Sequence, residues 1–136
     1  FGRHINPRVL NEDVLRSASA ALKGVKIVNG DFEVVVDGAG HGDAVYVDPP
    51  YYPLSITSSF TAYDPFPFGA DEQRRLGEAF KAWASKGISC VLSNSDCPFT
   101  RELFAGLTIR TVEASRAINC VGGGRGRVNE ILVIAP

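Results

Sequence analysis

The sequence predicts an α/β fold, a mostly parallel sheet completed by an antiparallel terminal hairpin. Three observations carry that prediction. Ile88 to Leu92 is an apolar run broken only by Ser89, read as a strand buried on both faces in a parallel sheet. Segments with helical spacing of apolar residues alternate with such runs, as α/β chains require. Near the carboxyl end, Thr108 to Ala114 and Val128 to Ile134 read as two strands joined by a Gly- and Arg-rich loop, which suits an antiparallel pair.

Taken in order, residues 1–7 have no period and read as loop. Asn11 then caps a helix whose apolar positions Val14, Leu15, Ala18, Ala21 and Leu22 recur at helical spacing, and Gly24 ends it. Val25 to Val28 predict a short β-branched strand that runs out at Asn29-Gly30-Asp31-Phe32. A loop carrying Gly38, Gly40 and Gly42 leads to an apolar strand, Asp43 to Val47. Leu54 to Gly69 is long, polar and aromatic, with Phe60, Tyr63, Phe66 and Phe68; loops of that length within a domain are commonly functional, although these rings also suit packing of the loop itself. Asp71 starts a helix with Leu76, Phe80 and Trp83 on one stripe, closed by Gly87. The strand 88–92 leaves through Ser93-Asn94-Ser95-Asp96, and a short helix near Pro98 to Phe104 follows.

Composition narrows the functions open to this chain. Its 136 residues, 45% hydrophobic and 21% charged, fit one globular domain. A net charge of −1 excludes a global electrostatic field for nucleic acid, so an anionic partner must be met by a local patch. Cys90, Cys97 and Cys120 lack CxxC spacing and accompany no signal peptide, which predicts reduced thiols in a cytoplasmic protein. Cys90 falls inside a core strand and reads as structural. Neither His4 nor His41 has a partner at ligand spacing, so no metal site is expected. No run reaches the roughly 18 to 20 apolar residues that span a bilayer, so no membrane partner is expected either.

The segment Asp48-Pro49-Pro50-Tyr51 concentrates the chemistry. Proline lacks an N–H and fixes φ, so two in succession end a buried strand and leave carbonyls beside an acid and a ring. In an open α/β sheet, ligands bind outside the carboxyl ends of the strands. Three such ends carry polar groups: Asp31, Asp48 and the Ser93 to Asp96 stretch. Together they offer acceptors and flat surfaces but no evident nucleophile. Such a site suits holding a ring and orienting an amine. The glycines at 122, 124 and 126 precede a strand instead of opening a helix, so they are not a dinucleotide fingerprint.

Asp48-Pro49-Pro50-Tyr51, followed by Pro53-Leu54-Ser55 and Phe60-Thr61-Ala62-Tyr63, resembles the Dam-type (D12 class) adenine-N6 DNA methyltransferases. Phe1-Gly2-Arg3, Gly30-Asp31-Phe32, Ser93-Asn94-Ser95-Asp96, Arg116-Ala117-Ile118-Asn119 and Asn129-Glu130-Ile131-Leu132 extend the likeness over nearly the whole chain. The resemblance implies a Rossmann-like methyltransferase sheet and methyl transfer from S-adenosylmethionine to the N6 amine of an adenine flipped out of double-stranded DNA. It implies that Asp48, Pro49, Pro50 and Tyr51 are the catalytic residues, with Asp48 and the Pro49 carbonyl orienting the amine and Tyr51 stacking on the base. Asp31 and Phe32 would bracket the cofactor adenine, with Asp48 bordering the cofactor as well. Arg3, Ser55, Arg116 and Asn119 would contact DNA.

The departures from the family pattern shape a further expectation. The family's Phe-x-Gly-x-Gly cofactor loop and the lysine-bearing segment ahead of it have no counterpart here, and the sequence contains no methionine. Residues 1–136 are therefore expected to be the carboxy-terminal portion of a catalytic domain, with 1–10 the end of the target-recognition segment. The amino-terminal half, or a second copy, would complete the sheet. His4 stands where well-known members carry tyrosine, which bears on the target sequence. Methylation of cytosine N4 or of a glutamine amide uses related Pro-Pro-Tyr motifs, and a non-catalytic DNA-binding subunit could keep the same fold. A bacterial or phage origin goes with the family.

Overall fold

The computed structural model describes residues 10–54, 68–115 and 127–136. Two units are distinct, Phe1–Val35 and Val36–Pro136.

In the first unit, helix α1 spans Glu12–Ala21, and the Asn11 side chain accepts from the Val14 N–H at 3.4 Å. Glu12 and Asp13 in the first turn complement the positive end of the helix dipole. Beyond Gly24, at φ 81, the structure departs from expectation. Val25 to Val28 pair with no strand among the described residues, and Val25, Ile27 and Val28 are exposed. β-Branched residues favour an extended backbone, but a strand exists only through a ladder partner. Next comes α2, a single turn over Phe32–Val36 where loop was expected. Asp31 starts it: one carboxylate oxygen accepts from the Glu33 N–H at 3.0 Å, and the Asp31 carbonyl takes the Val35 N–H. A local cap outweighs the poor helix propensity of the valines here.

The second unit is built on four strands, β1 (Ala44–Val47), β2 (Ser89–Ser95), β3 (Thr108–Ser115) and β4 (Arg127–Ala135), in spatial order β1-β2-β4-β3. β1 and β2 run parallel with Val47 opposite Leu92, whereas β2–β4 and β3–β4 are antiparallel. The sheet of the described residues is thus mixed, with one parallel pair where a mostly parallel sheet was expected. Parallel neighbours need a crossover, and the described residues hold one between sheet neighbours, from β1 through α3 (Ala70–Ser85) to β2.

Helix α3 covers one face of this sheet. It buries Gln73, Leu76, Gly77, Phe80 and Trp83, a stripe at helical spacing. On the strands, Cys90, Leu92 and Asn94 lie opposite Ala135, Val133 and Ile131, and all six are buried. Phe80 meets Phe104, just after α4 (Pro98–Leu103), edge to face at 5.8 Å between centroids. The alternate residues Val91, Leu132 and Ile134 point to the other face and are only half-buried. β2 also runs further than expected, because Ser93, Asn94 and Ser95 remain in the strand and are buried. At its end the Arg101 guanidinium grips Asp96 with two hydrogen bonds, the longer 2.8 Å, and holds that carboxyl below the usual aspartate range.

Two stability measurements follow from this packing. Phe80→Ala removes a fully buried ring from the centre of the core and should cost about 3–5 kcal/mol in urea denaturation. The depressed Asp96 stabilises the fold fully above the unfolded carboxyl value of about 3.9 and loses that effect as pH falls through its lower folded value. Arg101→Gln should therefore lower the melting temperature at neutral pH and converge with the unaltered protein in acid.

Candidate active site

The parallel pairing of β1 and β2 fixes which residues meet. With Val47 opposite Leu92, the next residues on each strand, Asp48 and Ser93, fall side by side at the carboxyl edge. The Ser93 hydroxyl donates to one oxygen of Asp48 at 2.9 Å and accepts from the Tyr46 phenol at 3.3 Å. Tyr46 and Asp48 are two apart on one strand, so they share a sheet face, the one α3 leaves uncovered. Ser93 therefore fixes the direction of the carboxylate.

The chain then turns through Pro49 and Pro50 and is held by further side chains, those of Gln73 and Asn94 from the α3 face. Gln73 of α3 donates to the Pro50 carbonyl at 2.7 Å. The Tyr52 N–H donates to the Asn94 side-chain oxygen at 3.0 Å, and the Ser95 hydroxyl donates to the Tyr52 carbonyl at 2.7 Å. Asn94 in turn donates to Gln73 at 2.9 Å. The Tyr52 ring stacks on Phe99 at 4.2 Å, with Arg74 over the Phe99 ring. Buried polar groups are costly unless paired, about 1–3 kcal/mol each, so this satisfied network favours one backbone path.

Among the acceptors left without a protein donor in the described residues are the second oxygen of Asp48 and the Pro49 carbonyl. They are adjacent in sequence at the end of β1, and Asp48 is exposed. Tyr51 follows, half-buried, with its phenol 3.4 Å from a Glu130 carboxylate oxygen on β4. Burial raises the Tyr51 pKa above its ordinary value, and the charges of Glu130 and Asp48 add to the effect against a hydrogen bond with Ser93. The phenol stays neutral at physiological pH, so the ring carries no charge toward a stacked partner. Burial likewise raises the Cys90 thiol, which faces the core and has no place in the chemistry. No group of metal-binding side chains occurs among the described residues, and no helix there is long and apolar enough to cross a membrane.

Of the expected site residues, the structure brings Asp48, Pro49, Pro50 and Tyr51 together at one strand end, against Ser93. Asp31 and Phe32 lie in the first unit, at the start of α2. Arg3, Ser55, Arg116 and Asn119 lie outside the described residues. Sequence reasoning missed Gln73, although a signal was present. It stands three residues before Leu76 on the apolar stripe of α3, and it is fully buried. A glutamine on a buried stripe needs polar partners, and here they are the Pro50 carbonyl and Asn94.

The family model for D12 class N6 adenine-specific DNA methyltransferases matches residues 1–118. The chain is 42% identical over 135 residues to a type II methyltransferase of Lactococcus lactis subsp. cremoris, covering 98% of this chain and 48% of the relative. It is 40% identical over 136 residues to a type II methyltransferase of Methanocaldococcus jannaschii, covering 98% and 47%. A DNA adenine methylase of Vibrio cholerae is 42% identical over 91 residues, which is 66% of this chain and 33% of the relative. The chain spans about half the length of the first two relatives. With a site built on Asp-Pro-Pro-Tyr and a family match over most of its length, the chain belongs to the D12 class of N6 adenine-specific DNA methyltransferases.

Proposed function

We propose that this chain forms the target-base half of an enzyme that transfers a methyl group from S-adenosylmethionine to adenine N6 in double-stranded DNA, in the cytoplasm of its host. The observation that carries the proposal is the pair of acceptors at the end of β1. The Pro50 carbonyl and the N–H and carbonyl of Tyr52 are engaged by protein side chains, whereas among the described residues one Asp48 oxygen and the Pro49 carbonyl have no protein donor. Two acceptors side by side match the two hydrogens of an exocyclic amine.

The amine of adenine is a poor nucleophile because its lone pair is delocalised into the ring. Hydrogen bonds from its two hydrogens to Asp48 and Pro49 favour the pyramidal form, in which the lone pair is available for attack. S-adenosylmethionine supplies an electrophilic methyl group on a sulfonium sulfur. As the new N–C bond formed and the methyl–sulfur bond broke, releasing S-adenosylhomocysteine, positive charge would pass from sulfur to the nitrogen, where the Asp48 carboxylate is placed to stabilise it until a proton is lost to water. The base must leave the duplex to reach this strand end, and Tyr51 offers a ring on which it can stack. Asp31 and Phe32, a carboxylate beside an apolar ring at the start of α2, fit the cofactor's adenine, which presents an amine and a flat face. Arg3, Ser55, Arg116 and Asn119 are assigned to phosphates and bases of the DNA.

The strand order supports a wider architectural reading. β1 has β2 on one side and no partner on the other among the described residues. Further parallel strands beside β1, from an amino-terminal half or a second copy, would complete a Rossmann-like, mostly parallel sheet and bring the cofactor loop to the site.

Two substitutions in the full-length gene product test the assignment. Asp48→Ala should lower single-turnover methyl transfer by about 10²- to 10³-fold, the size expected for one preorganised electrostatic partner, with DNA affinity changed little in a gel-shift titration. Full activity in that variant would refute the role of Asp48. Tyr51→Ala should weaken productive binding by about 1–3 kcal/mol, the worth of one base stacked on an aromatic ring, read as the DNA dependence of the same transfer assay.

A further inference from the structure

The carboxamide pair Gln73–Asn94 lies outside the acceptor pair yet determines where that pair stands. Its hydrogen bonds can run in one direction only. The Asn94 oxygen receives two backbone N–H groups, from Tyr52 at 3.0 Å and Ser95 at 2.8 Å, so its amide nitrogen must face Gln73. That nitrogen donates to the Gln73 oxygen at 2.9 Å, which leaves the Gln73 nitrogen for the Pro50 carbonyl at 2.7 Å. A carbonyl can only accept, so both ends of the relay are fixed by backbone groups. Both side chains are fully buried.

We infer that Gln73 is a positioning residue for methyl transfer, acting through the backbone of the Pro-Pro-Tyr turn. By engaging the Pro50 carbonyl it sorts the two proline carbonyls into a structural one and a reactive one. Pro49 is left facing the amine, and the plane of the peptide before Tyr51 is set, which sets where the stacking ring begins. Asn94 extends the same grip to Tyr52, so the turn is fastened on both sides of Tyr51. This rests on the proposed adenine methylation and refines its geometry. Displacements of about 1 Å at such a site cost on the order of 100-fold in rate without a comparable loss of binding.

The experiment replaces Gln73 in the full-length gene product and separates chemistry from binding. Gln73→Met keeps the volume and removes both polar contacts; Gln73→Glu keeps the shape and sets an oxygen against the Pro50 carbonyl. In folded protein, the single-turnover rate should fall about 10- to 100-fold, while dissociation constants for DNA and S-adenosylmethionine stay within about threefold. With 2-aminopurine in place of the target adenine, fluorescence of the bound DNA should rise as stacking on Tyr51 loosens. If either folded variant keeps the rate within about twofold, or loses rate and DNA affinity in equal proportion, the positioning role is refuted. Should neither variant fold, Ser95→Ala, which frees the Tyr52 carbonyl, is judged by the same criteria. Asp48→Ala runs alongside: inactivity there with an active Gln73→Met overturns this inference alone, whereas an active Asp48→Ala overturns the methylation reading itself.

Discussion

Everything at the site depends on two strands running the same way. Parallel pairing of β1 with β2 puts both carboxyl ends on one edge and, through the register of Val47 with Leu92, sets Asp48 against Ser93. An antiparallel pair would have placed the end of β1 beside the beginning of β2, where Ser89 is exposed and no buried polar cluster exists. A shift of one residue would have turned Asp48 to the face that α3 covers, with no serine beside it. The parallel register is in turn held by the core beneath it, in which Cys90 and Leu92 pack with Val133 and Ala135 under Phe80.

On that base the Asp-Pro-Pro-Tyr turn is held from two sides. Ser93 and Glu130 reach it from the face away from α3, and Asn94 with Gln73 from the face under α3. Proline contributes by what it lacks: without an N–H, Pro49 and Pro50 cannot saturate neighbouring acceptors, so the carbonyls at this bend must be met by side chains or left for a ligand. One is met and one is not. Rigid surroundings and acceptors left without a protein donor are what the proposed catalysis by orientation would require, since a transferred methyl would need no covalent help from the protein.

Much of this was legible in the sequence, and the failures have physical causes. The α3 stripe and the terminal hairpin were readable because periodicity reports directly on burial, whereas the strand at Ile88 to Leu92 is buried on one face only, with Ser89 exposed and Val91 half-buried. Val25 to Val28 misled, because β-branched composition reports a preference for extended backbone and is silent about whether a partner strand lies alongside. Phe32–Val36 misled in the opposite way, through a side-chain cap at Asp31 that valine-rich composition conceals. Ser93, Asn94 and Ser95 looked like a polar exit from the sheet. They are buried strand residues, made tolerable by partners 42, 43 and 45 positions away that no local pattern displays. Asp48 to Tyr51 stood out because its oddity is local, whereas Gln73 became visible only once its contact with Pro50 was known.

The grip on the turn also has an order in time. A ribosome releases Asp48 to Tyr52 first, and the groups that shape them follow: Gln73 comes 23 residues after Pro50, Asn94 comes 42 after Tyr52, and Phe99 is later still. The motif thus emerges from synthesis as an unformed bend and acquires its working geometry only when α3, β2 and the start of α4 have left the exit tunnel. A nascent chain stalled before Phe99 would carry the signature residues of a methyltransferase without the shape that makes them one.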